Sequence, residues 1–432
     1  MLLLILVIEV LILSRLDKVS FGTWFTPFNI LAWPYVIVVL LAFFFGPWLG
    51  YVPIFMESVL VWIVGLFLFW LGGLLIALPA GSAIRARFKV STPFLYEERS
   101  KGFVLLLAWV CILVLGSRLL TLGGFVALAR EDFAVAYVSG WAGHVMTVGF
   151  LMLTVLIGIA HKKDWTTWLT ILVLLAMIVL YQTKTWVFMP VVAGLIYRAT
   201  SGRFKLSVSK VLWAFLVVAV LFSLPYLIGF GAGNRETLSD IETYRFLLRH
   251  TGNYIFAGVL SWGETVRQGT RPLHSEPTYI LGPFVNLYRV VVSGRLISDV
   301  SSYFSIIDRT GTIDSNVHTF FGTILLYMGW LSTAALVVWL GVLLYGLFAL
   351  AVAKRNCWIA AAWSFLAAGL AFGWFDYYYR SLAFVEVAAY GVALAAIAWL
   401  IWKSARLQRC PPLAARMLRG FRGNWAPGRE GP

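Results

Sequence analysis

Polar positions along the chain are confined to short intervals between apolar runs of membrane-spanning length. The runs lie at roughly 1–14, 30–48, 56–79, 102–121, 141–160, 166–182, 185–198, 211–230, 319–350, 358–376 and 383–402. A bilayer core about 30 Å thick takes about 20 apolar residues per helix, and in lipid a helix satisfies its own backbone groups. The pattern therefore predicts an all-α, polytopic transmembrane bundle of about eleven spans. The first run, MLLLILVIEVLILS, has neither a basic lead nor a small-residue cleavage site and reads as a span, not a removed leader. One interval breaks the alternation, the long polar stretch 231–317. It is expected to carry amphipathic helices outside the membrane. The organisation read from the pattern is 1–230, amino-terminal spans; 231–317, a large external loop; 318–402, carboxy-terminal spans; and 403–432, a basic tail.

Charge then orients the bundle. Alternating the intervals puts Arg15 and Lys18, the cluster Arg85, Arg87, Lys89, Arg99 and Lys101, Lys162 and Lys163, Arg203, Lys205 and Lys210, Lys354 and Arg355, and the tail on one side. By the positive-inside rule that side is the cytoplasm. The net charge of +15 is thus mostly topology signal plus attraction to anionic headgroups, with no nucleic-acid partner required. Only 12% of the residues are charged and 61% are hydrophobic, which excludes an ordinary soluble domain.

The external interval uses its cations selectively. It holds Arg235, Arg245, Arg249, Arg267, Arg271, Arg289, Arg295 and Arg309 and no lysine. Arginine keeps its charge and presents a planar fork of donors to phosphate oxygens, so an all-arginine loop at a membrane surface points to a phosphate-bearing ligand. An equal number of acids, among them Glu242, Glu264 and Asp308, offers ordinary pairing as the alternative.

Within the interval, Ser239-Asp240-Ile241-Glu242 has the form of a capping box before an apolar helical stripe, predicting an interfacial helix. Arg245 and Arg249 are four apart on one face of it and are placed to grip a diphosphate. Arg235 and Arg289 are further candidates. Ser315-Asn316 is expected to cap the next span, with Asn316 near a bound anion, and His318 in its first turn is a candidate general base beside Glu264. Lys184 in a hairpin turn, with Arg118 and Arg380 at other outer span ends, could wall an anionic pocket. His250 and His274 fit no pattern, and His144 reads as structural. Trp262, Tyr279, Tyr288 and Tyr303 offer flat faces for sugars.

Other signals are missing from the sequence. It has no Walker lysine motif, HExxH, GxSxG or metal-holding DxD pair, and Cys111, Cys357 and Cys410 lie far apart. No cofactor, metal or disulfide is expected.

Taken in order, these segments resemble the O-antigen polymerase family, the Wzy-type oligosaccharide repeat unit polymerases of bacterial envelopes. The likeness rests on TPFNILAWPYVIVVLLAF with ESVLVWIVGLFLFWLGGLL, on QTKTWVFMPVVAGLIYR, and on SNVHTFFGTILLYMGWLSTAALVVWLGVLLYGLF. In the family an arginine usually stands where Lys184 is, and an aromatic where His318 is. The resemblance implies a membrane-embedded glycosyltransferase of lipopolysaccharide or related polysaccharide biosynthesis in the bacterial inner membrane. Its donor and acceptor would both be undecaprenyl-diphosphate-linked oligosaccharides, meeting on the periplasmic face among membrane lipids, and a chain-length regulator and a flippase would be candidate partners. Two alternatives stay open, an O-antigen ligase using the same donor and a transporter of lipid-linked glycans.

Overall fold

Local capping chemistry starts several helices where the apolar runs begin. Thr26 accepts from the Asn29 N–H at 3.4 Å ahead of Pro27, Asp164 accepts from Thr167, and Asn356 accepts from Trp358 at 2.9 Å. The computed structural model describes residues 1–88, 94, 97–130, 132–203, 241–269, 276–292 and 303–409. Its helices are α1 (Leu2–Phe21), α2 (Pro27–Phe45), α3 (Val59–Phe88), α4 (Glu97–Thr121), α5 (Phe133–Tyr137), α6 (Trp141–Ile159), α7 (Trp165–Val179), α8 (Lys184–Thr200), α9 (Ile241–Arg267), α10 (Pro277–Ile280), α11 (Gly282–Val292), α12 (Phe320–Lys354), α13 (Cys357–Ala371) and α14 (Leu382–Arg409). Among the described residues the one sheet is a small antiparallel pair, β1 (Ser305–Ile306) and β2 (Asp314–Ser315), with Ser305 opposite Ser315. Tyr51 adds a bridge to Asp308.

This is an all-α membrane protein. Among the described residues, six helical stretches are long and apolar enough to cross a bilayer, 27–49, 56–87, 97–121, 141–159, 320–354 and 382–401, and α7 and α13 are shorter apolar helices. Large apolar side chains such as Leu106, Leu113, Leu172, Trp339 and Leu400 face outward. That surface would be a liability in water and is ordinary in lipid. The expected span 211–230, Arg235 and residues 410–432 of the basic tail lie outside the described residues, while 403–409 continue α14.

The most extensive helix pair is α3 with α12, and glycine makes it possible. A Cβ on Gly72 would lie 2.2 Å from the Val338 carbonyl oxygen, and one on Gly341 would lie 2.3 Å from that of Phe69. Without a hydrophobic force between helices in lipid, such close backbone approach is what packing relies on. Tyr35 stacks on Trp62 at 3.5 Å between α2 and α3, and Tyr345 of α12 donates to the buried Asp17 carboxylate of α1 at 2.6 Å.

α12 is broken at Gly329, whose φ of 71° and ψ of 174° are open to glycine and strained for other residues. The run 319–350 therefore comprises a short buried helix before the break and a long rod after it. At about 1.5 Å per residue the unbroken 35-residue stretch would be about 50 Å long, well beyond a bilayer core.

Two expectations for the external interval are corrected. α9 does not lie flat on an interface. Phe256–Thr265 is buried against α2, the Met56–Ser58 turn and the small sheet, and a Cβ on Gly258 would meet the Phe375 carbonyl oxygen at 2.3 Å. Nor does Ser315-Asn316 cap α12. Ser315 belongs to β2, Asn316 is exposed, and the cap is Thr319, which accepts from the Gly322 N–H.

Charged side chains gather at one end of the bundle. There Lys101 pairs with Asp164 at 2.5 Å, Arg203 pairs with Glu97, Tyr197 donates to Glu97, Arg198 donates to the Ala160 carbonyl at 2.9 Å, and Cys357 faces Ser100. The opposite end brings together the starts of α8 and α12, the 372–381 connection, α10 and the small sheet.

Candidate functional site

Thr319 is held in a conformation that β-branched residues avoid, with φ 66° and ψ 167°. Such strain persists only where its surroundings over-determine it, and it concentrates at functional sites. Here its N–H donates to the Phe375 carbonyl at 3.1 Å, and its hydroxyl accepts from the Trp62 indole at 3.0 Å and from Gly322. The next amide, Phe320, donates to Gly373 at 2.7 Å. These bonds lock the start of α12 against the 372–381 connection.

That clamp assembles a buried charged cluster. Asp376 accepts from the Thr323 hydroxyl at 2.6 Å through Oδ1 and from the Arg380 guanidinium at 2.8 Å through Oδ2. The guanidinium lies 4.5 Å from the centre of the Tyr279 ring, which stacks on Tyr327 at 3.9 Å. Tyr327 also accepts from the Tyr303 N–H. Burial alone would lower the affinity of Arg380 for its proton, but the Asp376 carboxylate more than offsets this, so the guanidinium is held firmly charged.

His318 sits beside this pair, fully buried, two residues before α12. Its Nε2 is buried without a hydrogen-bond partner among the described residues, and its ring lies 5.8 Å from that of Tyr303. Burial lowers its pKa to about 4; Asp376 acts against that and Arg380 adds to it. The expected place in the first helical turn is corrected: the residue precedes the helix and its cap Thr319. His318 is thus a buried imidazole close enough to Asp376 and Arg380 to feel both charges.

The other expected site residues are dispersed. Arg249 donates to Asp308 at 2.8 Å and to Thr310 at 3.3 Å, and its carbonyl accepts from Tyr51 at 2.5 Å. Through Nη2 it ties α9 to the 305–315 segment, and the side chain is 43% exposed. Burial alone would raise the Asp308 pKa, but hydrogen bonds from Thr310, Thr312 and the Ile313 N–H outweigh it and hold the pKa down to about 2. Glu264 is buried and paired with Arg267 one turn on, so it is not an unengaged base. Arg118 donates to the Ala136 carbonyl at 2.7 Å and to Ser139 at 2.8 Å, closing the end of α5. Arg289 is exposed on α11, Asn316 is exposed before α12, and Lys184 opens α8. Arg245 lies on α9, and its side chain is outside the described residues. Among the candidates whose side chains are described, His318 and Arg380 are brought together.

Asp376 was missed in the sequence reading, although an acid at the end of an apolar run with an arginine four residues on is a legible signal. Among the described residues, no three His, Cys, Asp or Glu side chains converge as metal ligands.

The fold and site define an all-α membrane protein with a buried Asp–Arg–His cluster at one end of its bundle. The chain belongs to the family of unknown function DUF6337, which it matches over residues 50–402. No curated protein and no solved structure matches it.

Proposed function

We propose that this protein polymerises polyprenyl-diphosphate-linked oligosaccharide repeat units, moving a growing glycan onto the non-reducing end of a new lipid-linked unit. The observation that carries the reading is the Arg380 guanidinium, fixed by Asp376 and Tyr279 and close to the buried imidazole of His318. When a glycan leaves its lipid diphosphate, negative charge grows on the phosphate oxygens. A preorganised guanidinium in a site shielded from water stabilises that charge at no reorganisation cost. His318, held neutral, supplies a further hydrogen bond. Tyr303, partly exposed beside the cluster, fits the aromatic faces that sugars stack on.

The same reading assigns eleven spans. The six long helices, α1, α7, α8, α13 and the run 211–230 give that number. The end with Lys101, Arg198 and Arg203 then faces the cytoplasm of the inner membrane, and the Arg380 end faces the periplasm. Surface glycan from a deletion strain tests the activity. Single repeat units on lipid carrier are expected, whereas long chains left unattached would identify a ligase and a normal ladder would reject both.

A further inference from the structure

A second cleft, separate from the Arg380 cluster, opens at the same end of the bundle between the starts of α6, α8 and α14. It encloses about 310 Å³, at the small end of the roughly 300–1,000 Å³ typical of small-molecule sites. Phe150, Tyr181 and Trp186 give it aromatic walls, with Phe150 and Trp186 stacked 5.6 Å apart, and Thr147 and Ser381 add hydroxyls. Among the described residues that line it, Glu386 carries a carboxylate and none is a lysine or arginine. Aromatic faces, hydroxyls and the Glu386 carboxylate suit a neutral, hydroxyl-bearing ring, not a phosphate.

One pair in this cleft has the form of chemical machinery. His144 Nδ1 meets Glu386 Oε1 at 2.6 Å; the histidine side chain is 56% exposed and the carboxylate 14%. A carboxylate on Nδ1 fixes the ring orientation and leaves Nε2 as the working nitrogen, an arrangement that recurs where histidine takes a proton from a hydroxyl. Solvent screens the exposed imidazole, so the ion pair itself contributes little to stability. The cleft also adjoins the charged cluster. Ser381 lines it directly after Arg380, and Tyr378 lies 3.4 Å from Thr185, the neighbour of Trp186.

We propose that this cleft binds the terminal sugar of the acceptor glycan and that His144, oriented by Glu386, removes the proton from the attacking hydroxyl. The assignment rests on the polymerase reading and names its acceptor site and base. His144 Nε2 takes the hydroxyl proton as the acceptor oxygen bonds to the anomeric carbon of the donor. The bond from that carbon to the diphosphate oxygen breaks, its electron pair stays on the diphosphate, and the imidazolium then loses its proton to water. Of the two histidines His318 is buried, whereas His144 is exposed in the cleft.

Two measurements on the full-length protein in proteoliposomes test this. The first follows elongation of a lipid-linked repeat unit. His144→Gln keeps hydrogen-bonding capacity but cannot serve as the base, and it is expected to slow elongation by roughly 100- to 10,000-fold with an unchanged unfolding midpoint; Glu386→Gln should slow it less. The second titrates the oligosaccharide repeat unit freed of lipid and phosphate. His144→Ala and Trp186→Ala are each expected to weaken its binding by about 10-fold, while Arg380→Lys leaves binding intact. Elongation and binding at wild-type levels in His144→Gln and His144→Ala, with an active wild type, would overturn the site and leave the polymerase reading standing. A wild type that elongates nothing yet binds the freed oligosaccharide through His144 and Trp186 would reject the polymerase reading and keep the sugar site.

Discussion

Asp376 and Arg380 are expected to behave as one energetic unit. Removing Arg380 strands a carboxylate that is 4% exposed with only Thr323 to serve it. Breaking a buried pair from one side costs about 3–5 kcal/mol. The guanidinium is 32% exposed and partly screened, so the lower end, about 3 kcal/mol, is the working figure for Arg380→Ala. Asp376→Ala leaves an arginine that can swing toward solvent and a Thr323 hydroxyl without its charged acceptor, a loss of about 2 kcal/mol. With both gone no charge is stranded, and the double variant should lose about 3 kcal/mol, not the sum of 5, which is a coupling of about 2 kcal/mol. Denaturant titration of the four proteins in mixed micelles measures this. Strictly additive losses would refute the reasoning, because Asp376 and Arg380 would then be neighbours without a shared role. The functional arm uses Arg380→Lys, which keeps the charge but loses the planar fork over Tyr279. If the guanidinium carries transition-state charge, losing one charge-assisted bond of about 1.5–3 kcal/mol slows elongation by roughly 10- to 150-fold.

Asp308 has a folded pKa held down to about 2, below the ordinary carboxylate value near 3.9, so its stabilising effect is complete above about pH 4 and is lost as pH falls toward 2. Proteolysis of the 303–315 segment should rise across that window in the wild type, and Asp308→Asn should already be susceptible at neutral pH. Gly72→Leu or Gly341→Leu pushes a side chain into a facing backbone 2.2–2.3 Å from the Cβ position, and either should abolish the monodisperse detergent-extracted species seen by gel filtration. On the proposed topology, a cysteine at Thr312 reacts with a membrane-impermeant thiol reagent in spheroplasts, and one at Lys162 reacts only after permeabilisation. The reverse pattern would invert the assignment.

Much of the membrane architecture is written in the sequence because lipid is an undemanding solvent. A run such as LVWIVGLFLFWLGGLL has few alternatives to a spanning helix, and α3 forms over it. What the linear pattern conceals is pairing across distance. Arg249 and Arg245 share a helical face, yet the partner of Arg249 is Asp308, 59 residues away, and nothing local announces it. The cap of α12 was misplaced because Ser315-Asn316 has cap chemistry, whereas Thr319 earns the position through a strained backbone that only Phe375 and Trp62, both remote in sequence, can enforce. His318 was legible as a polar residue at a span boundary, but its burial depends on the 372–381 connection folding over it.

The break at Gly329 separates two mechanical duties that one continuous helix would have to share. A rod embedded in a bilayer tilts and slides as the membrane thickens or thins with lipid composition. Beyond the break, the rod packs by its glycines against α3 and meets lipid with Trp330 and Leu331; before it, the short segment holds Thr323 and Tyr327 against Asp376 and Tyr279. One peptide unit at Gly329 can absorb the difference in tilt, so the charged cluster is insulated from the thickness of whatever membrane surrounds it.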